Sequence, residues 1–318
     1  MSIQLPRLSD GMGMDGAAKL SAHAANAVTT DADTLEEARL GFSRTHPRRS
    51  ARRVFHFTQL LAIGALFYGA TWVARVAPTA TFTVAHIAAL VIFSAAIFIR
   101  VIAAAQLAPF LSRLASPARF PIYTILCPLY REANVAHDLV SALACIDYPR
   151  EALDIKLLVE SDDSETIDAS CAAAASTPHI EVIIVPACAP RTKPKALNVG
   201  LARARGEFVV IYDAEDRPHA QQLNAALAAF EDGEPDLACV QAPLVIDNAD
   251  ASWISRQFAA EYAIQFREML PLLALLKLPL PLGGTSNHFR TDVLRRCGGW
   301  DAYNVSEDRA NFASKLNR

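Results

Sequence analysis

Two uninterrupted apolar runs constrain this chain more than anything else in it. Residues 57–74 and 82–99 are eighteen residues each and contain no Lys, Arg, Asp or Glu. A helix needs about 17–20 such residues to cross a hydrocarbon core of about 30 Å. The connector, 75–81, is short and carries Pro78, so the two runs are expected to form a transmembrane hairpin. A signal peptide fits poorly, because the first run begins far from the N-terminus and a second follows it. The competing reading is a pair of buried helices in a soluble protein. Arg48, Arg49, Arg52 and Arg53 precede the first run, Arg100, Arg113 and Arg119 follow the second, and only Arg75 lies between them. Basic flanks stay in the cytosol. The expectation is therefore a multi-pass protein of the inner (plasma) membrane with everything after residue 110 cytosolic. His86, inside the second run, reads as a neutral side chain turned toward the partner helix.

Residues 1–53 are rich in Ala, Asp, Ser and Thr with little apolar periodicity, which predicts a disordered cytosolic tail. The hairpin then occupies 54–110 and a soluble domain 118–318. A net charge of −3 gives no reason to expect nucleic acid as a partner. The six cysteines are scattered, with no C-x-x-C pair and no metal-ligand spacing, which suits a reducing compartment and no disulfide framework.

From Pro121 the pattern changes to alternating strands and helices. Strands are expected at 122–129, 154–160, 180–186, 207–212 and 237–246. Helices are expected at 132–147, through Ala175, at 195–205 and at 219–230. Such alternation argues for a mostly parallel sheet with helices on both faces. Residues 253–282 begin with Phe258, Tyr262, Phe266 and Met269 at helical spacing. They continue with an apolar stretch broken by Pro271, Pro279 and Pro281. This segment reads as an amphipathic helix at a membrane surface, or as ordinary core.

Chemistry-bearing residues gather at the expected strand ends, where open α/β sheets bind ligands. Pro128-Leu129-Tyr130-Arg131-Glu132 closes the first strand and Glu160-Ser161-Asp162-Asp163 the second. Lys193-Pro194-Lys195-Ala196-Leu197-Asn198 opens the helix after the third, and Asp213-Ala214-Glu215-Asp216 closes the fourth. Carboxylates accept hydrogen bonds from a nucleoside, while lysines at a helix N-terminus suit phosphate. Asp213 and Glu215 suit a hard divalent cation such as Mg²⁺ or Mn²⁺. Each string also has a plainer reading. Asp162-Asp163 could cap a helix, Lys193 and Lys195 could form a solvated face, and Tyr130 could cover the sheet edge. Downstream, Gly283-Gly284-Thr285-Ser286-Asn287-His288-Phe289 offers Ser286 and His288 as groups suited to a sugar. Ser306-Glu307-Asp308 offers a carboxylate able to take a proton from an acceptor hydroxyl.

This order of motifs resembles the family 2 glycosyltransferases, in particular their membrane-bound, cellulose synthase-like branch. The likeness covers about residues 121–308 together with the hairpin before them. It implies a GT-A fold, a nucleotide-sugar donor (usually a UDP-sugar) and inversion by direct displacement at the anomeric carbon. The acceptor would be a growing polysaccharide or a lipid. Pro128, Tyr130 and Glu132 match the nucleoside-side motif, and Glu160 and Asp162 fall in the acidic motif that holds the base. Lys195 and Asn198 match the K-A-L-N segment beside the donor. Asp213 and Glu215 match the D-x-D metal motif, and Asp308 matches the general base of T-E-D.

Glu215 stands where the family has a second Asp, Glu160-Ser161-Asp162-Asp163 replaces D-D-G-S, and Ser306 replaces Thr. The family continues after T-E-D with an Ala/Leu-rich helix, a Q-x-x-R-W motif and further membrane helices. Here Arg309-Ala310-Asn311-Phe312 diverges, so a C-terminally truncated domain is expected. The alternative is a membrane-anchored, nucleotide-sugar-binding remnant without turnover. A nucleotidyltransferase is a weaker third reading, since no Gly-rich nucleotide loop opens the domain.

Overall fold

β-branched and aromatic runs build the sheet. The computed structural model describes residues 27–53, 55–105 and 119–304. Seven strands form one sheet: β1 (Ala27–Thr29), β2 (Tyr123–Leu129), β3 (Leu153–Glu160), β4 (Ile180–Val185), β5 (Phe208–Ile211), β6 (Cys239–Gln241) and β7 (Asn287–Arg290). Their spatial order is β1-β4-β3-β2-β5-β7-β6. β1 to β5 run parallel to one another, whereas β7 runs antiparallel to both β5 and β6. From β2 the chain steps outward through β3 and β4, then returns so that β5 joins the other side of β2. That reversal opens a crevice beyond the carboxyl ends of β2 and β5.

Successive strand residues point to opposite faces, and helices cover both. On one face Ile125, Cys127, Leu157, Val159, Val182 and Val210 form a buried cluster. Leu139 and Leu143 of α4 (Ala136–Ala144) and Leu223 and Leu227 of α7 (Gln222–Asp232) belong to the same cluster. Each such side chain contributes about 1.5–3 kcal/mol of burial free energy. α5 (Ser164–Ala174) starts at Asp163, whose side chain accepts from the Thr166 N–H. On the other face lies α6 (Lys193–Arg203). A Cβ at Gly200 would come within 2.9 Å of methyls of Leu126 and Leu158. Only a hydrogen fits there, so α6 rests directly on the sheet.

The structure gives residues 27–45 a role that the expected disordered tail over 1–53 did not include. β1 adds a parallel edge to β4, where the Thr30 hydroxyl donates to Ile184 O at 2.9 Å. α1 (Ala32–Thr45) is capped by Asp31, which accepts from Thr34 N at 2.8 Å. It buries Ala38 and Phe42 and packs on α6. Asn198 of α6 donates to Ala38 O at 2.9 Å. The stripe of Leu35, Ala38 and Phe42 is narrow, which is why it escaped the sequence pattern. Residues 1–26 lie outside the described ones.

β6 is only the first part of the strand expected at 237–246, and β7 falls where a ligand-binding string was read. Short α10 (Thr291–Arg296) follows β7.

A second compact unit comprises residues 49–111 and 242–282. α2 (Phe57–Val76) and α3 (Pro78–Ala105) pack on one another, and both are long and apolar enough to cross a membrane. Their large side chains face outward, Phe67, Trp72, Phe82 and Phe93 among them. α8 (Trp253–Ile264) runs through a π-helical turn, Gln265–Met269, into α9 (Leu270–Leu275). α3 packs against the π-helical turn, and Trp253, Ile254 and Phe258 remain exposed.

Candidate active site

The crevice at the strand reversal holds a cavity of ≈ 420 Å³, a size that accommodates an organic ligand. Four segments line it. Pro128 comes from the end of β2, Tyr130 and Glu132 from the turn after it, and Glu160 from the end of β3. Arg191, Thr192 and Lys193 enter α6, and Asp213 and Glu215 follow β5. The turn after β2 passes through Arg131 in the left-handed region (φ 60°). It is held by Asp163, which accepts from the Arg131 N–H, and by the Thr166 hydroxyl, 3.0 Å from the Glu132 N–H.

The three carboxylates after β5 separate into two roles. Asp213 and Glu215 face the cavity. Asp216 turns away from it, accepting from Asp213 N at 2.7 Å and from the Thr285 hydroxyl. Lys193 Nζ lies 2.6 Å from Asp213 Oδ1 and donates to Gly284 O at 2.7 Å. Burial raises the Asp213 carboxyl above its ordinary pKa; Lys193 opposes this, and Asp216 and Glu215 add to it. Burial likewise raises Glu132, Glu160 and Asp216. This is a concentration of negative charge that a bound cation would relieve.

The sequence-predicted residues divide accordingly. Pro128, Tyr130, Glu132, Glu160, Asp213 and Glu215 come together around the cavity. Asp162 sits just outside its lining, 2.6 Å from Arg191. Lys195 is not at the surface at all, being wholly buried. Its Nζ lies 2.9 and 3.0 Å from the two Glu160 oxygens and 3.1 Å from both Pro186 O and Cys188 O. Its position is set by α6, which starts at Lys193 with Pro194 in its first turn; two residues further along, the side chain turns beneath the floor.

Asn198, Ser286 and His288, expected beside the substrate, do not line the cavity. The Asn198 amide donates to Trp300 O at 2.8 Å and accepts from Trp300 N at 2.9 Å, in addition to its bond to α1. Ser286 is buried with φ 56°, and its N–H donates to Ile211 O at 2.8 Å. His288 is wholly buried in β7, with Nδ1 2.7 Å from the Tyr123 hydroxyl. Burial lowers its pKa to about 3. Ser286 and His288 were read from polar residue type and Asn198 from the family likeness, and neither separates ligand contacts from internal clamps. Asp308, with Ser306 and Glu307, lies outside the described residues.

Arg191 and Thr192 are the lining residues that the sequence reading missed. The available signal was a cation immediately before a helix start, where N–H groups and positive charge favour an anion.

Among the described residues no group of three or more His, Cys, Asp or Glu side chains is arranged to hold an ion. Asp213 and Glu215 nevertheless fit the way Mg²⁺ is bound beside phosphates, through one or two carboxylates with the remaining positions taken by substrate oxygens and water. Glu132 and Glu160 can accept hydrogen bonds, the exposed Tyr130 ring offers a stacking face, and Arg191 and Lys193 offer positive charge.

Comparison with known proteins bears on the fold and the family. A mannosyltransferase, PcManGT from Pyrobaculum calidifontis, solved with GDP-Man and Mn²⁺, superposes with a TM-score of 0.50 at 22% identity. The match covers 68% of this chain and 58% of that one. The architecture is thus GT-A-like, a mostly parallel sheet with helices on both faces. Residues 121–310 match the model of the glycosyltransferase-like family 2, and the chain belongs to that family. It is 25% identical over 194 residues to "Probable glycosyltransferase YdaM" of Bacillus subtilis (strain 168), covering 59% of this chain and 45% of that protein. It is 23% identical over 188 residues to the beta-monoglucosyldiacylglycerol synthase of Trichormus variabilis, covering 59% and 40%. The chain spans less than half the length of these curated relatives.

Proposed function

We propose that this chain transfers a sugar from a nucleotide-sugar, a UDP-sugar by the family likeness, to a hydroxyl of a polysaccharide or lipid acceptor. We place the reaction at the cytosolic face of the membrane. The observation that carries the reading is the convergence of acids and bases from four segments on one crevice. Tyr130, Glu132 and Glu160 hold the nucleoside end. Arg191 and Lys193 offset the charge of the diphosphate as it leaves. A Mg²⁺ or Mn²⁺ ion held by Asp213 and Glu215 would neutralise the diphosphate oxygens.

Inversion follows from attack by the acceptor oxygen on the anomeric carbon, opposite the departing diphosphate. One C–O bond forms as the other breaks, and the acceptor proton passes to Asp308 in the role the resemblance assigns. In domain terms, residues 118–318 form the transferase domain and 54–110 its membrane anchor. The outward apolar faces of α2 and α3 and the exposed Trp253, Ile254 and Phe258 support contact with lipid. The basic flanks of the hairpin support the cytosolic side. The name of the diacylglycerol-linked relative supports a lipid among the acceptors.

The test uses the full chain in lipid nanodiscs with Mn²⁺, a panel of nucleotide-sugars and candidate acceptors. Release of nucleoside diphosphate and labelling of acceptor are measured. Asp213→Ala is expected to lower turnover by at least about 10²-fold, the usual cost of losing one group that stabilises developing charge. Unchanged turnover of the variant would remove Asp213 from the mechanism.

A further inference from the structure

We propose that Lys193 is a built-in competitor of the divalent cation. Its ammonium ties Asp213 to the glycine pair Gly283-Gly284, and it gives up both when cation and donor diphosphate bind. The inference rests on the nucleotide-sugar reading above and extends it to a residue for which that reading supplies only a charge.

Three observations carry it. Lys193 Nζ stands 2.6 Å from Asp213 Oδ1, so it already occupies a direction from which a metal would approach that oxygen. An ammonium and a divalent ion cannot share one carboxylate oxygen at such distances without strong repulsion. Second, the same Nζ donates to Gly284 O at 2.7 Å, so one side chain bridges the acidic turn and the backbone of a distant segment. Third, that segment is latched elsewhere by groups that do not line the cavity. Gln241 accepts from Gly283 N at 2.7 Å and donates to Thr285 O at 3.0 Å, and the Thr285 hydroxyl donates to Asp216.

Releasing Lys193 therefore frees the Gly284 carbonyl while leaving Thr285 and the strand beyond it in place. The backbone of Lys193 is fixed by α6 and the adjacent Pro194, but four methylenes carry Nζ, which can swing to a phosphate oxygen. Donor capture is thereby coupled to a local loosening at Gly284, a residue of the type that accepts new backbone angles most easily, while Gly283 stays held by Gln241 and Asn287.

The experiment measures Mn²⁺ binding to the full chain by electron paramagnetic resonance titration without donor. Hydrogen exchange is followed in a peptide spanning residues 283–287. Lys193→Met is expected to bind Mn²⁺ alone about fivefold more tightly than the parent, the upper scale of one partly exposed ion pair. Lys193→Arg keeps the charge and is expected to match the parent, which separates competition from misfolding. Adding UDP with Mn²⁺ should speed exchange at Gly284 in the parent, whereas Lys193→Met should exchange fast there without ligand. Mn²⁺ affinity of Lys193→Met within twofold of the parent, or exchange at Gly284 that ignores the ligand, overturns the proposal. Asp213→Asn separates the two levels. If it abolishes Mn²⁺ binding while Lys193→Met matches the parent, only this inference fails; if it too leaves binding unchanged, the metal reading of the site fails with it.

Discussion

Replacing Lys195 by Met should uncouple Glu160 from the floor of the crevice and make the domain's stability newly pH-dependent. The ammonium is wholly buried and reaches both Glu160 oxygens, at 2.9 and 3.0 Å. Glu160 is itself only 8% exposed. Removing one partner of such a pair leaves an uncompensated charge and costs about 3–5 kcal/mol, whereas removing both partners is often close to neutral. Lys195→Met should therefore cost about 3–5 kcal/mol near neutral pH, and adding Glu160→Gln should recover most of that.

The sign of the pH effect follows from the carboxyl. Burial already raises the Glu160 pKa, and Lys195 opposes that rise. Without Lys195 the folded-state pKa climbs further above the unfolded value. The folded protein then holds a proton that the unfolded chain has lost, so stability falls as pH rises through that window. The deficit of Lys195→Met should accordingly shrink on acidification from pH 8 to pH 5. Trp300, 2% exposed and 6.0 Å from the Phe289 ring, reports on this unit once Trp72 and Trp253 are changed to Phe. Denaturant titrations in detergent at the two pH values supply the numbers. A loss below about 1 kcal/mol at both would refute the assignment of Lys195 as the support of Glu160.

His288 should make the parent itself acid-sensitive. Its folded pKa is lowered to about 3 against an ordinary 6.5, so the unfolded chain binds the proton first and stability falls as pH drops from about 6.5 toward 3. The slope is about 1.4 kcal/mol per pH unit for one such group, and His288→Gln should lose that part of it in the same unfolding assay. Asp216→Ala should cost about 1–3 kcal/mol by leaving the Asp213 N–H without its acceptor, while the Thr285 hydroxyl keeps only Ile211 O at 3.2 Å. It should also weaken Mn²⁺-dependent donor binding in calorimetry, because the Asp213 turn is no longer pinned; unaltered binding would show that the turn holds without it.

The parallel half of the sheet was legible because β2 to β5 are largely buried on both faces and read as mostly apolar runs, interrupted by charge only at Asp154 and Lys156 in β3 and Glu181 in β4. The crevice was legible for a related reason, since acids placed just past such runs have to emerge at their carboxyl ends. What failed to show was the antiparallel edge. β7 is four residues whose sequence, Asn287-His288-Phe289-Arg290, includes the buried polar side chains of Asn287 and His288, so it resembled a ligand string. The same ambiguity misplaced Lys195 and Asn198. One or two residues of helical phase decide whether a lysine enters the cavity or passes beneath it, and phase is fixed by Pro194 and the start of α6 rather than by residue type. Residues 27–45 were lost because a three-residue strand and a helix with one narrow apolar stripe give little periodic signal.

The docking of that N-terminal segment restricts how the polypeptide can thread a bilayer. β1 and α1 precede the hairpin in sequence, β2 follows it, and all three belong to one sheet unit. Chain ends that meet in the same folded body cannot be separated by a lipid barrier. Whatever bilayer α2 and α3 enter, the chain must return to the compartment it left, so the number of crossings between Thr45 and Tyr123 is even.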